Sequence, residues 1–175
     1  MLRKLLLGGV AGVVMATTGV AQGADSVFHV GDAFPALTGT AISGRSISVP
    51  VADHQTVVIM AFSRAAGNDA RRWSEWLAPD SSRADVVIVA ELQSVPRLLR
   101  GAVAFTIKRG VPTRLRDRML LLSSNESVWK QRLAATSDAH AYVTLVDSSG
   151  RVRWMSGGVS DDATMRSLRV ELRHQ

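Results

Sequence analysis

Apolar and polar positions along the chain fall into patterns that separate strands from helices. Residues 36–49 hold two short alternating runs on either side of Ser43 and Gly44, a pattern typical of a β-hairpin. Residues 56–62 (TVVIMAF) and 84–92 (ADVVIVAEL) are almost continuously apolar, which indicates strands buried on both faces. Further strands are predicted at 118–124 and, as a hairpin, at 141–158.

Segments whose apolar residues have helical spacing lie between these predicted strands. Residues 68–77 form the first predicted helix, with Asn68 as its N-cap. Residues 95–110 form the second, with Pro96 in its first turn and Gly110 at its end. Two further helices are predicted at 125–135 and 161–173.

The order is therefore β-hairpin, β, α, β, α, β, α, β-hairpin, α. Parallel strands need crossover connections and hairpins need adjacent strands, and a central mixed sheet with helices on both faces satisfies both. We expect 56–62 and 84–92 to be adjacent and parallel, and 142–146 to pair antiparallel with 152–154. This α/β order is similar to the thioredoxin fold.

Residues 1–24 are predicted to be a signal peptide, followed by one domain at 25–175. Arg3 and Lys4 precede an apolar, glycine-rich stretch, and small residues offer a cleavage site between Gln22 and Asp25. Export to the periplasm is therefore expected. The alternative is an uncleaved inner-membrane anchor, because residues 5–21 are 17 long, at the lower limit for spanning a bilayer.

The 175-residue chain contains no cysteine, which excludes thiol catalysis and thiolate metal sites. In the thioredoxin fold that the order resembles, redox cysteines lie at a strand-to-helix junction. Residues 67–70 (GNDA) stand at the corresponding positions here. The loop at 137–141 also lacks the proline that the fold usually carries there. Redox catalysis is therefore not expected.

Other catalytic chemistry finds little support. Ser63 has no glycine-framed nucleophile elbow. Asp69 and Glu75 lie six residues apart, on different faces of the predicted helix, so they are expected to be solvated or capping carboxylates rather than an acid/base pair. We expect no catalytic residue, no cofactor and no metal. No two histidines have the spacing that metal ligands on a helix need. The four histidines are His29, His54, His140 and His174.

The hairpin at 141–158 (AYVTLVDSSGRVRWMSGG) carries a specific resemblance. It is similar to the motif that ends the thioredoxin-like domain of the mitochondrial F-type ATP synthase assembly factors of the Atp-ten family. One departure is His140, where the motif begins less polar, and a second is the export signal in place of a mitochondrial presequence. The matching residues are Tyr142, Leu145, Val146, Asp147, Gly150, Arg153, Trp154 and Gly157. The resemblance implies binding rather than turnover, because those factors help a membrane subunit of the proton channel to assemble.

Positive charge is concentrated in one segment, residues 97–118, which carries seven basic residues and one acid. We expect Leu98, Leu99, Ala102 and Phe105 to pack against the sheet, with the charges outside. An anionic membrane surface or a membrane protein suits such a segment, whereas no motif supports nucleic acid. A solvated face without a partner is the alternative. The candidate partner-binding residues are Trp76, Arg97, Arg100, Lys108, Arg109, Arg114, Arg116 and Arg118.

The basic side chains are expected to share two stripes. Arg97, Arg100 and Lys108 have helical spacing, and the arginines from 114 to 118 alternate as on one face of an extended segment.

The sequence thus indicates a redox-inactive, thioredoxin-like periplasmic protein that binds or assembles a membrane protein. The alternatives are a peroxiredoxin-like enzyme with non-thiol chemistry at 63–68, and a purely structural periplasmic domain.

Overall fold

A computed structural model describes residues 26–51, 53–80, 83–158 and 160–173. The predicted signal peptide, residues 1–24, lies outside the described residues. The strands are β1 (Leu37–Thr40), β2 (Ser46–Val49), β3 (Gln55–Ala61), β4 (Ala84–Glu91), β5 (Met119–Leu122), β6 (Tyr142–Val146) and β7 (Val152–Gly157). The helices are α1 (Arg64–Leu77), α2 (Arg97–Gly110), α3 (Thr113–Arg116), α4 (Glu126–Arg132) and α5 (Asp162–Glu171), with a 3-10 turn at Ala78–Asp80.

The central sheet is mixed, as predicted, with the strand order β5-β4-β3-β6-β7. β3 and β4 are parallel neighbours, with Gln55 opposite Ala84, because α1 returns the chain across one face of the sheet. β6 runs antiparallel to both β3 and β7. Both pairing predictions are confirmed. The parallel strands end on one edge of the sheet, where α1 and the loop before β6 meet.

The predicted N-terminal hairpin forms a separate sheet of two strands, β1 and β2. Gly44 lies in its turn with φ +101°, a conformation that glycine adopts without a side-chain clash. An isolated bridge from Ala41 to Leu120 joins the hairpin to β5. Leu37, Ile47 and Val49 of the hairpin are buried in the core on one face of the central sheet, so the hairpin packs over that face and meets the edge strand β5 through the bridge.

A hydrophobic core lies on each face of the sheet. On one face, α1 and α5 pack Trp73, Leu77 and Leu168 against alternate residues of β3, β4 and β6. On the other face, the hairpin and α4 bury a cluster that contains Phe34 and Trp129, whose ring centroids are 5.6 Å apart. Successive side chains of a strand point to opposite faces, so the continuous apolar runs of β3 and β4 supply both cores.

Helix α1 begins earlier than the sequence predicts. Its N-cap is Ser63 rather than Asn68, and Ser63 Oγ accepts a hydrogen bond from the Ala66 amide at 3.1 Å. Both serine and asparagine are good N-caps, so local preference did not distinguish the two positions. The prediction at Asn68 was wrong. The helix N-terminus, where a redox pair would lie, is therefore at residues 63–66 rather than 67–70.

Two further corrections concern the basic segment. Residues 113–116 form a short helix, α3, so the arginines from 114 to 118 do not alternate on one face of an extended strand. Leu98, Leu99, Ala102 and Phe105 do not pack against the sheet, because all four are exposed. The partly buried side of α2 contains Ile107, which packs against the core on the α1 face.

Candidate functional site

Ser63 closes the junction where the fold would carry a redox cysteine. Its hydroxyl donates a hydrogen bond of 2.5 Å to the main-chain oxygen of Asp138, in the loop before β6. Ser63 Oγ also accepts the hydrogen bond from the Ala66 amide that caps α1. A nucleophilic serine needs a base to take its proton, and this proton is held by a carbonyl. The junction is therefore a structural contact between α1 and the loop.

Lys130 of α4 contacts two residues beside this junction, Phe62 and Asp138. Its Nζ atom lies 2.8 Å from Glu126 Oε1 and 2.8 Å from Asp138 Oδ1, and 5.4 Å from the ring centroid of Phe62. The hydrogen bond to Asp138, followed by that to Glu126, raises the pKa of Lys130. A lysine with a raised pKa remains an ammonium ion near neutral pH and cannot act as a general base. Neither Ser63 nor Lys130 is therefore available as an activated nucleophile or a general base.

Asp69 braces the same junction from inside the domain. Its carboxylate is buried, and Oδ2 accepts a hydrogen bond of 3.0 Å from the Ala141 amide. Oδ1 accepts a hydrogen bond from the Ser160 hydroxyl. Asp69 is thus not the solvated or capping carboxylate that the sequence suggested, whereas Glu75 is exposed and lies 3.6 Å from Arg71. Hydrogen-bonded burial of this kind ties α1 to the loop before β6 and to the segment before α5.

Glu91, at the end of β4, is a buried carboxyl that sequence reasoning missed. Its Oε1 atom accepts a hydrogen bond of 2.7 Å from the Gln93 amide, while Oε2 is buried and has no partner among the described residues. Burial, and secondarily the nearby Glu126, raise the pKa of Glu91. The available signal was an acid that directly follows the apolar run at residues 86–90. An unpaired buried carboxyl oxygen favours the protonated form.

The motif residues Tyr142 and Gly157 are opposite each other in the β6–β7 pair. A Cβ atom on Gly157 would lie 2.8 Å from Tyr142 Cε1, so the glycine makes room for the ring. The Tyr142 hydroxyl donates to the Ser137 main-chain oxygen at 2.9 Å and accepts from the Ser137 amide at 3.1 Å. The motif therefore holds the loop before β6, which contacts Ser63, in place.

The candidate partner-binding residues divide into held and free groups. Arg100 donates to the main-chain oxygens of Val95, at 2.9 Å, and Gln93, at 3.0 Å, and Arg116 donates to the Val111 oxygen at 3.1 Å. These two arginines stabilise the ends of α2, so part of their hydrogen-bonding capacity is used within the domain. The Arg109 guanidinium lies over the Phe105 ring, 5.4 Å from its centroid. Within the part of the chain that the structure describes, five of the basic residues form neither an ion pair nor a side-chain hydrogen bond: Arg97, Lys108, Arg109, Arg114 and Arg118.

Trp76 is partly buried and has an internal partner. The Arg169 guanidinium lies 4.0 Å from the centroid of its ring, and Arg169 also pairs with Asp80 at 2.9 Å. Trp73, its neighbour on α1, is fully in the core. The structure thus separates Trp76, which α5 covers, from the free cations of α2 and α3. Arg114 and Arg118 line a cleft together with Glu75 of α1.

No metal site and no membrane-spanning helix are found in the described ranges. Their His, Asp and Glu side chains form no cluster of three or more that could hold a metal ion. None of the helices in those ranges combines the length and apolar character needed to cross a bilayer.

The sequence was compared with protein families and with curated proteins. A family model described as "ATP10 protein" matches residues 28–173, which include the Ser63 junction, the basic segment and the motif at 142–157. Among curated proteins no match was found.

Solved structures similar to the chain are thioredoxin-like. A putative thiol:disulfide interchange protein DsbE from Chlorobium tepidum has a TM-score of 0.61 at 12% identity, over 85% of this chain and 98% of that chain. The exposed lipoprotein thioredoxin of Streptococcus pneumoniae has a TM-score of 0.59 at 8% identity, over 81% and 100%. BsSco, a member of the Sco family of cytochrome c oxidase assembly proteins, has a TM-score of 0.55 at 11% identity, over 85% and 98%. At these identities the likeness concerns the fold alone, and the predicted thioredoxin-like α/β fold is confirmed.

Proposed function

The chain belongs to the ATP10 protein family, and on that premise we propose that it is a redox-independent assembly factor for a membrane protein. The Ser63 junction carries this proposal. A hydroxyl that caps α1 and donates to the Asp138 main-chain oxygen occupies the position of a redox cysteine, and Lys130 binds the Asp138 carboxylate beside it. A closed polar network stabilises the fold but presents no reactive group. Binding is the function left to such a domain.

The place of action is the periplasmic face of the inner membrane, reached through the signal peptide predicted at residues 1–24. The family suggests that the partner is a membrane subunit of an ATP synthase, or of another complex with a comparable subunit. The protein BsSco, described as belonging to a family of oxidase assembly proteins, supports the idea that a thioredoxin-like fold can serve assembly. The free cations of α2 and α3 offer a contact for an acidic or anionic surface.

A deletion strain of the native host tests the proposal. We expect the wild-type gene and Ser63→Gly to restore assembly of the affected complex equally, measured on native gels. Glycine at an N-cap destabilises a helix by only a few tenths of a kcal/mol. The lost hydrogen bond to Asp138 adds about 1 kcal/mol, so the variant removes the hydroxyl and is expected to remain folded. Ser148→Gly, in the exposed β6–β7 turn, is the matched control. Crosslinking with mass spectrometry should identify a membrane protein as the partner.

Two results would count against the assembly role. The first is loss of assembly by a folded Ser63→Gly variant, which would indicate chemistry at the hydroxyl. The second is turnover of a disulfide or peroxide substrate by the pure protein above background. Either result would favour an enzyme at the junction of β3 and α1.

A further inference from the structure

Helix α2 turns an apolar stripe toward solvent. Leu98, Ala102 and Phe105 follow one another at helical spacing, and Leu98 is 97% and Phe105 60% exposed. Across the whole helix no residue is fully buried. Exposed apolar side chains scattered singly are common, but three in one row on one helix form a contact surface.

The orientation of α2 is set by its other side. Arg100 is held by two main-chain oxygens of the preceding loop, and Ile107 and Val111 pack against the core on the α1 face. Rotating the helix to bury Leu98 would withdraw Arg100 from both oxygens. The outward position of the stripe is therefore built into the fold.

Positive charge borders the stripe. Arg97 and Lys108 lie along one side of it, and Arg109 lies at its C-terminal end, with its guanidinium 5.4 Å from the centroid of the Phe105 ring. All three side chains are exposed, and α2 contains no acidic residue. An apolar row with cations beside it is the pattern of helices that lie in the plane of a membrane interface.

We propose that α2 lies flat on an anionic lipid surface, with the stripe at the boundary between headgroups and acyl chains and the cations at lipid phosphates. Arg109 would extend from the Phe105 ring toward the headgroups, as long basic side chains do at interfaces. This placement rests on the proposed function, because a factor for a membrane subunit works at the bilayer. A second copy of the chain fits less well, since two such helices in contact would bring like charges together.

The absence of native cysteine permits a direct test with the full chain. Ala102→Cys carries an environment-sensitive fluorophore on the stripe, and Asn68→Cys carries the same fluorophore on the exposed side of α1 as the control. On phosphatidylglycerol vesicles we expect a blue shift of the emission at position 102 only. The shift should be absent on phosphatidylcholine vesicles and should decrease in high salt, because the screening length falls from about 10 Å at 0.1 M to about 3 Å at 1 M.

Binding variants separate α2 from other contacts with lipid. In the Ala102→Cys background, Leu98→Ser with Phe105→Ser should lower the vesicle partition coefficient seen by the probe at least tenfold. The matched control is Val30→Ser with Val170→Ser, which changes two other exposed apolar residues, 66% and 49% exposed, and should have no effect. Arg97→Gln with Lys108→Gln should also lower the coefficient about tenfold at low salt, because each basic residue adds to the attraction for anionic lipid.

The outcomes distinguish lipid from other occupants of the stripe. No shift at position 102 on anionic vesicles would overturn the proposal, as would an equal shift on neutral ones. A shift without lipid that grows with protein concentration would assign the stripe to a second copy, and a shift only with an acidic protein partner would assign it to that partner. If vesicle binding fails while complementation and crosslinking succeed, the placement of α2 falls and the assembly role stands. Vesicle binding without complementation would support the placement of α2 and would count against the assembly role.

Discussion

Replacement of Gly157 by alanine is expected to destabilise the protein through Tyr142. The new Cβ atom would lie 2.8 Å from Tyr142 Cε1 and 3.0 Å from Cδ1, where ordinary contacts begin at 3.4 Å. Flexible side-chain ends yield to such contacts at little cost. The tyrosine ring is rigid, packs on Phe62 with a centroid distance of 6.0 Å, and is held by its hydroxyl at Ser137. The ring therefore has to shift as a whole.

The expected loss of stability follows from these contacts. Overpacking of a filled site destabilises by about 1–3 kcal/mol. Weakening the hydroxyl's hydrogen bonds to Ser137 adds about 1 kcal/mol. The lower backbone entropy of alanine in the unfolded chain offsets about 0.5–1 kcal/mol. The net effect of Gly157→Ala is a loss of about 2 kcal/mol, which lowers the melting temperature by roughly 4–8 °C for a domain of this size.

Urea denaturation of four variants, compared with the wild type, measures this effect: Gly157→Ala, Gly67→Ala, Tyr142→Leu and the double variant Tyr142→Leu with Gly157→Ala. Gly67→Ala is the matched control, because it lies within α1 and its added Cβ would meet nothing within 4 Å. We expect Gly67→Ala to stabilise the protein by about 0.5–1 kcal/mol. Introducing Gly157→Ala into a Tyr142→Leu background should cost much less than in the wild type, since a flexible side chain replaces the ring.

The explanation of the Tyr142 and Gly157 pair fails if Gly157→Ala is as stable as Gly67→Ala. It also fails if the penalty is unchanged in the Tyr142→Leu background. In that case the glycine serves the backbone of β7 rather than the ring.

Two further predictions concern the buried carboxyls. Asp69→Ala should lower the free energy of unfolding by about 2–4 kcal/mol, because it leaves two donors unpaired. The control, Asn68→Ala at an exposed position, should change that free energy by no more than about 0.5 kcal/mol. Equal effects of the two variants in urea titrations would contradict the role assigned to Asp69. Burial raises the pKa of Glu91 above its ordinary 4.5, so the native state binds this proton more tightly than the unfolded chain. The associated stability is fully present below about pH 4.5 and is lost as the pH rises through the raised pKa. Glu91→Gln should therefore gain stability relative to the wild type in thermal melts as the pH rises above about 4.5, and a constant difference would contradict the raised pKa.

The sequence by itself determined the order of the elements and the family. Residues 56–62 and 84–92 are apolar at nearly every position, and only a strand with a core on each side buries such a run. Gly44 marks the first turn, and the motif from Tyr142 to Gly157 identifies the last hairpin. These signals are local, because each depends on a short window of chain. The absence of cysteine can likewise be read directly from the sequence, and it excludes thiol chemistry without knowledge of the structure.

Tertiary structure alone decided where α1 begins and which side of α2 faces the sheet. Ser63 and Asn68 are both good N-caps, and the contact of Ser63 with Asp138, 75 residues away, favours the earlier start. Helix α2 has apolar residues around much of its circumference, so periodicity yields two possible inner sides. Arg100, which binds the preceding loop, and Ile107, which meets the core, select one of them. Leu98 is left outside, because a helix fixed by one side cannot also bury the opposite one.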